Sequence, residues 1–439
     1  MSNHSVQLPW GDTPQTLNLP ENWHIAGILE PAALDGVADP FAEVTESLQF
    51  PTGSVRLSEM VKPGMKIVLV IDDGSRPTPV QKLLPAVFAE LQKGGAELGQ
   101  VTVVPAYGVH RPMDDAEVAA RMGGEWFEQV RWESHDCDDL EKLSLLGTTS
   151  RGTPVYINKT VASADLIVSV GCIEPHIIAS FGGGYKNIIP GVAGRATIAH
   201  NHALNCTPNT FNMVGQPIEK NSMRLDLEEG AAMMNKPVFI VNAVLNSRLE
   251  VVKIVCGDPI QAHRAGAQIS AKIYGVQVPR MADIVITASH PMDQDLRQGV
   301  KALANTIRAM KPGGMMITTV RATEGVGVFG LAEKKLPISK KMLNLLAPLI
   351  LPLVPKLKLS GVSEEDKFFL YFAIQAMRRG RLLFYGPTIP VEKQANLIFV
   401  DFVPSVEQAI AEARKRFPHQ AEVLVFPHGG MTYPILPEE

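Results

Sequence analysis

The chain has 439 residues, too many for one ordinary core, and is expected to form about two domains. Its 41 basic residues nearly balance 45 acidic ones, which excludes a broad electrostatic footprint for nucleic acid or anionic membrane and leaves a small molecule as the expected ligand. Cys137, Cys172, Cys206 and Cys256 stand far apart with no CxxC pair, so they read as buried small side chains rather than a disulfide framework or zinc cluster.

Met1 to Trp10 lacks a basic region followed by an apolar core, so no secretory signal is expected and the cytoplasm is the expected compartment. Short apolar runs then alternate with helical patterns, the signature of parallel strands joined by crossover helices. The expected fold class is α/β, with two domains, each a mainly parallel sheet flanked by helices, and an active site in the interdomain cleft. Lys66–Ile71, Gln100–Pro105 and Ala164–Gly171 read as buried strands, with a helix from Pro79 to Gln92 after the first. Pro237–Val244 and Leu249–Val255 read as a hairpin, and Asp258–Gly275 as a long helix capped by Asp258.

A second series follows, with strands at Ala282–Ala288, Gly313–Val320, Leu382–Tyr385, Leu397–Phe402 and Val423–Phe426. The expected division is therefore 1–275 for an N-terminal cofactor-binding domain and 276–439 for a C-terminal Rossmann-like domain, the last strand being free to return to the first. The most apolar segment, Leu343–Leu359, is interrupted by Pro348, Pro352 and Pro355. It is too short and broken to span a bilayer and reads as a kinked helix on a core or over a cleft.

The groups with chemical capability fall at strand ends, where ligands of such sheets bind. Asp73-Gly74-Ser75-Arg76 follows the first strand; Asp73 and Ser75 can cap the next helix, and Arg76 offers a bidentate fork for a carboxylate or phosphate, the alternative being a plain capped turn. His110 lies at the second strand end, suited to proton transfer or to a structural hydrogen bond. After the third strand comes a glycine-rich stretch holding His176, Gly182, Gly183, Gly184, Lys186 and His202. Its imidazoles and amine can supply a proton acceptor, a covalent attachment point and a metal ligand, and its glycines let backbone approach a ligand. His200 reads as structural. In the second series Gln298 and Lys301, three apart, share a helical face beside Arg297, with a solvated helix start as the alternative.

In order and spacing, Asp73–Pro79, Gly108–Pro112, the run from Pro175 to His202, and Gln298 with Lys301 resemble the nickel-dependent lactate racemase family. The resemblance implies an isomerase inverting the 2-carbon of a 2-hydroxy acid by transient hydride transfer, through a 2-keto acid. It implies a nickel-pincer nucleotide (nickel pyridinium-3,5-bisthiocarboxylic acid mononucleotide), joined to Lys186 through a thioamide and made by separate maturation proteins, so that recombinant protein can lack it. His202 would be the protein ligand to nickel, and His110 and His176 the paired acid and base. Asp73, Ser75 and Gly182–Gly184 would lie against the nucleotide, and Arg76, Gln298 and Lys301 would hold the substrate. Arg297 stands where lactate enzymes tend to carry an aromatic residue, which points to a more polar substrate such as malate or a sugar acid. A homo-oligomer is compatible with this reading. The competing readings are a zinc-dependent hydrolase using His110, His176 and His202, and a non-catalytic nucleotide or hydroxy-acid binding protein.

Overall fold

The structure is a computed structural model that describes residues 4–327, 329–355 and 366–437. The chain forms two compact units, one of Ala33–Leu204 and Gln216–Ile273, the other of Met1–Ala32, Asn205–Gly215 and Tyr274–Glu439. The first 32 residues thus group with the C-terminal part of the chain and not with the residues that follow them. The physical reason is strand pairing: His24–Ile28 lies parallel to Glu422–Phe426, a partner that no local pattern reveals.

In the first unit a six-stranded sheet contains β1 (Ile67–Asp72), β2 (Val101–Ala106), β3 (Arg131–Trp132), β4 (Leu166–Cys172), β5 (Val238–Leu245) and β6 (Val251–Gly257), in the order β6-β5-β4-β1-β2-β3. All neighbours are parallel except the expected β5–β6 hairpin. Every residue of β1 and β4 is buried, because helices cover both faces of a parallel sheet and leave no wet side for polar alternation. Helix α1 (Val80–Lys93) follows β1 and packs Leu84, Val87 and Phe88 into the core with Leu69 and Val168. Helices α2 (Arg195–Ala203), α3 (Ser222–Ala232) and α4 (Gln261–Tyr274) complete the frame around the glycine-rich stretch. Asp258 Oδ1 accepts from the amides of Ile260 and Gln261 at 2.9 and 2.8 Å, which starts α4.

The second unit has its own six-stranded sheet, built from β7 (Ala282–Ala288), β8 (Met310–Thr319), β9 (Gly380–Tyr385), β10 (Asp401–Phe402) and β11 (Glu422–Phe426). Its order is β10-β9-β8-β7-β11, with His24–Ile28 as the outer neighbour of β11, and all pairs are parallel. The final strands stay in this unit. The strand expected over Leu397–Phe402 shrinks to Asp401–Phe402, since residues 397–400 form a turn. Helix α5 (Leu296–Thr306) begins where Asp295 Oδ1 accepts from the Gln298 amide at 2.7 Å. Helix α6 (Lys340–Ile350) contains Pro348, while residues 356–359 of the apolar segment lie outside the described residues. No helix among the described residues is long and apolar enough to cross a membrane.

Candidate active site

The carboxyl ends of β1, β2 and β4 place Asp73, His110 and Glu174 in adjacent loops. Asp73 is buried and accepts on both oxygens: the Ser75 hydroxyl donates to Oδ1 at 2.6 Å, and His110 Nδ1–H donates to Oδ2 at 2.7 Å. Burial pushes this carboxyl up, but the bonds from His110 and Ser75 and the charge of Arg76 outweigh it and leave the pKa at about 2. With Nδ1–H committed to a carboxylate, the neutral His110 ring carries its lone pair on Nε2, the arrangement of a proton acceptor.

Arg76 donates from Nη1 to Glu174 Oε1 at 2.6 Å. Burial works against the guanidinium charge, yet Glu174 and Asp73 outweigh it and hold Arg76 cationic. Glu174 was absent from the expected set of site residues. It fixes one edge of the Arg76 fork and leaves the plane of the guanidinium aimed by a buried acid.

Beyond Glu174 the chain makes a two-residue antiparallel pair, Pro175–His176 against Ser180–Phe181, and enters the glycine loop. His176 Nδ1 accepts from the amides of Ile178 and Ala179, each at 3.2 Å, and its Nε2 lies 2.7 Å from Lys186 Nζ. Lys186 sits in a single 3-10 turn, Gly184–Asn187, anchored by Asn187 Nδ2 donating to the Val170 carbonyl of β4 at 2.9 Å.

The loop is held from behind by residues the sequence did not reveal. Arg224 of α3, fully buried, donates to the carbonyls of Ala179, Phe181 and Gly183. His263 of α4 donates from Nε2 to the Gly182 carbonyl at 2.8 Å, and Asn242 Oδ1 accepts from the Gly184 amide at 2.8 Å. Burial, with Arg224 and Arg264 nearby, holds His263 well below the usual imidazole range, so it stays neutral. The glycines answer first to these neighbours. Gly183 has a φ of +73°, and a Cβ there would stand 2.7 Å from Asn242 Oδ1 and 2.6 Å from Ile173 Cγ1.

His202 lies on α2, and so does His200; two residues apart on a helix they point in different directions. His200 Nδ1 meets the Thr153 hydroxyl at 2.8 Å, in keeping with a structural part. Asp226 of α3 secures α2 by accepting from Thr153 Oγ1, Thr149 Oγ1 and Asn201 Nδ2 at 2.7, 2.5 and 2.8 Å. Among the described residues, the metal-capable side chains whose ligand atoms all gather within 4.8 Å are Asp136, Cys137 and Asp138. His110, His176 and His202 are not among them. All four cysteines are buried, and burial raises the thiols of Cys172, Cys206 and Cys256.

In the second unit Gln298 and Lys301 lie on α5. The Gln298 side-chain oxygen is buried without a hydrogen-bond partner, and Lys301 Nζ lies 3.8 Å from Met292 Sδ. The Arg297 guanidinium sits over the Phe369 ring, 5.6 Å from its centroid.

The two units are α/β frames with His110, His176 and Lys186 in or beyond the strand-end loops of one of them, and comparison with known proteins gives the family. The family model for the lactate racemase N-terminal domain matches residues 10–212. The lactate racemase of Thermoanaerobacterium thermosaccharolyticum is 32% identical over 327 residues, covering 74% of this chain and 76% of that one. The lactate racemase of Lactiplantibacillus plantarum is 26% identical over 390 residues, 88% of this chain and 89% of the relative. The solved lactate racemase apoprotein from Thermoanaerobacterium thermosaccharolyticum superposes with a TM-score of 0.84 at 26% identity, covering 99% of this chain and all of that one. The chain belongs to the lactate racemase family, a family of isomerases.

Proposed function

We propose that this protein racemises or epimerises a 2-hydroxy acid at its 2-carbon, with a nickel-pincer nucleotide attached at Lys186. The observation that carries the reading is the pair of differently wired histidines at neighbouring strand ends, His110 on the Asp73 carboxylate and His176 against the Lys186 amine. The residues fit the cofactor: an amine is presented from a turn of fixed backbone, and an imidazole suited to nickel follows on a helix pinned by Asp226. When bound, the nucleotide would supply a metal centre and a reversible hydride acceptor.

The protein's own share is proton transfer and orientation. His110 takes the hydroxyl proton of one enantiomer at Nε2, and Asp73 stabilises the imidazolium that results. His176 is assigned to the opposite face by family resemblance. Arg76, aimed by Glu174, holds the substrate carboxylate while the keto intermediate reorients; Gln298 and Lys301 are assigned to the substrate by family resemblance, and His202 to nickel. Asp73, Ser75 and Gly182–Gly184 are assigned to the nucleotide. Malate or a sugar acid as the substrate rests on Arg297, whose stacking on Phe369 is a competing engagement.

The test is protein produced with the cofactor maturation proteins, measured by intact mass, peptide mapping and nickel content, then by chiral assay of lactate, malate and gluconate. A mass gain at Lys186, about one nickel per chain and inversion of one substrate are expected. Fully matured, folded protein with unmodified Lys186 and no nickel would favour the binding-protein reading.

A further inference from the structure

Residues 334–355 contain four lysines, Lys334, Lys335, Lys340 and Lys341, and no acidic residue, in a chain whose net charge is −4. The near balance of charge over the whole chain therefore hides a locally basic segment. Lys340 is taken up by Asp401 at 2.5 Å. Lys334, Lys335 and Lys341 are exposed and have no ion pair among the described residues. The same segment holds α6, whose first turn is capped by the Ser339 hydroxyl, which accepts from the Met342 amide at 3.3 Å. Leu343 and Ala347, four apart, are buried on one side of α6, and Leu351 just beyond it is buried as well. Met342, Leu345 and Leu349 follow the spacing i, i+3, i+7 on the other side and are 49%, 73% and 70% exposed. Asn344 and Pro348 are also exposed, so the apolar row stands on a ridge and not in a groove. Single exposed leucines need no explanation, but a row at helical spacing on a helix apolar on both sides calls for an apolar partner.

We propose that this side of α6 docks on an anionic lipid surface, with Met342, Leu345 and Leu349 entering the headgroup and acyl boundary and Lys334, Lys335 and Lys341 meeting the lipid headgroups. A basic amphipathic helix of this kind lies in the plane of the interface, so the contact needs no spanning helix, and none is found among the described residues. The charge of the segment selects this occupant. A second copy of the same face would bring two acid-free segments together and leave every lysine of the contact without an opposite charge. Anionic headgroups supply that charge, and a lipid surface receives a lone ridge without a matching groove. The contact goes beyond the proposed reaction and does not depend on it.

The test is co-sedimentation of the full-length chain with vesicles of phosphatidylcholine, alone or mixed with phosphatidylserine, at low and high salt. Binding is expected to the phosphatidylserine vesicles only, and it should weaken as salt rises. Replacing Lys334, Lys335 or Lys341 by Gln should weaken binding about fivefold for each charge removed. Leu345→Gln combined with Leu349→Gln should abolish binding while leaving the melt unchanged, because both side chains are largely exposed in the free chain. Leu345→Trp should retain binding and add a fluorescence component, absent from the parent, that shifts to the blue on phosphatidylserine vesicles. Failure of the folded parent to bind phosphatidylserine vesicles overturns the proposal, and so does binding that survives the double substitution undiminished. A dimer in vesicle-free solution that the double substitution dissociates also overturns it, and gives the face to a second copy of the chain.

Discussion

Replacing Arg224 by Met tests whether the glycine loop is held from behind. The side chain is fully buried and donates to Gly183 O at 3.1 Å, Ala179 O at 3.4 Å and the Phe181 carbonyl. Burial lowers its pKa to about 10 against the support of Glu228. Met matches much of the volume and removes every donor. Glu228 keeps both Arg264 bonds, at 2.7 and 2.8 Å, so no buried acid is orphaned. The cost then comes from the carbonyls: two good bonds to a charged donor contribute about 1.5–3 kcal/mol each, giving roughly 3–6 kcal/mol in all. Urea unfolding reads the global loss, and amide exchange reads the local one. The Gly182 amide, bonded to Glu174 O at 2.7 Å, and the Lys186 amide, bonded to Gly183 O at 3.3 Å, should lose protection first. A loss under about 1 kcal/mol, with unchanged exchange at these amides, would refute the argument.

Gly183→Ala should cost about 2–4 kcal/mol, because an L side chain is strained at φ +73° and its Cβ collides with Asn242 and Ile173; a melt within experimental error of the parent would contradict this. On the proposed function, Asp73→Asn keeps an acceptor for His110 but removes the charge, and kcat should fall by about a hundredfold, read by chiral assay; unchanged turnover would remove Asp73 from the relay. Asp73 also has a depressed folded pKa of about 2, so its stabilisation of roughly 2 kcal/mol is present above about pH 4 and is lost as pH falls toward 2. Parent and Asp73→Asn stabilities should therefore converge over that window. His428 is lowered as well: burial and the nearby charge of His290 bring it to about 4, so the unfolded chain binds the extra proton. Stability should fall between about pH 6.5 and 4, and His428→Phe should flatten that slope in pH-dependent urea titrations.

The positions of Asp73, His110 and His176 beyond strand ends were legible because each follows an apolar run that reads as a buried parallel strand. Lys186 was legible from the glycine and histidine context around it. Glu174 was overlooked although it lies only two residues beyond β4, since a single acid before Pro175 carries no periodic signal. Arg224, His263, Asn242 and Asp226 could not have been read at all. They satisfy loop carbonyls, amides and hydroxyls contributed by distant segments, and their own helices and strand show only ordinary patterns. At Gly183 and Gly184 the space that a Cβ would need is taken by Ile173, Asn242 and His263, contacts that only the folded chain reveals. That His24–Ile28 pairs with β11 was not legible, because no local pattern joins two strands so far apart in the chain.

On the proposed function, the opposite wiring of the two histidines has to be reconciled with a reaction that runs both ways. His110 is built as an acceptor by its carboxylate, and His176 as a donor by two amides. For interconversion of enantiomers the equilibrium constant is one, so kcat/KM must be equal in the two directions however unlike the groups are. Asymmetry can enter only in how each direction divides that quotient between kcat and KM. Removing the Asp73 charge must lower kcat/KM by the same factor for both enantiomers, while the split between kcat and KM differs, because the bound states in which His110 carries the proton are the ones that lose a partner. The wiring thus biases which protonation state the resting site occupies, without favouring either hand of the product.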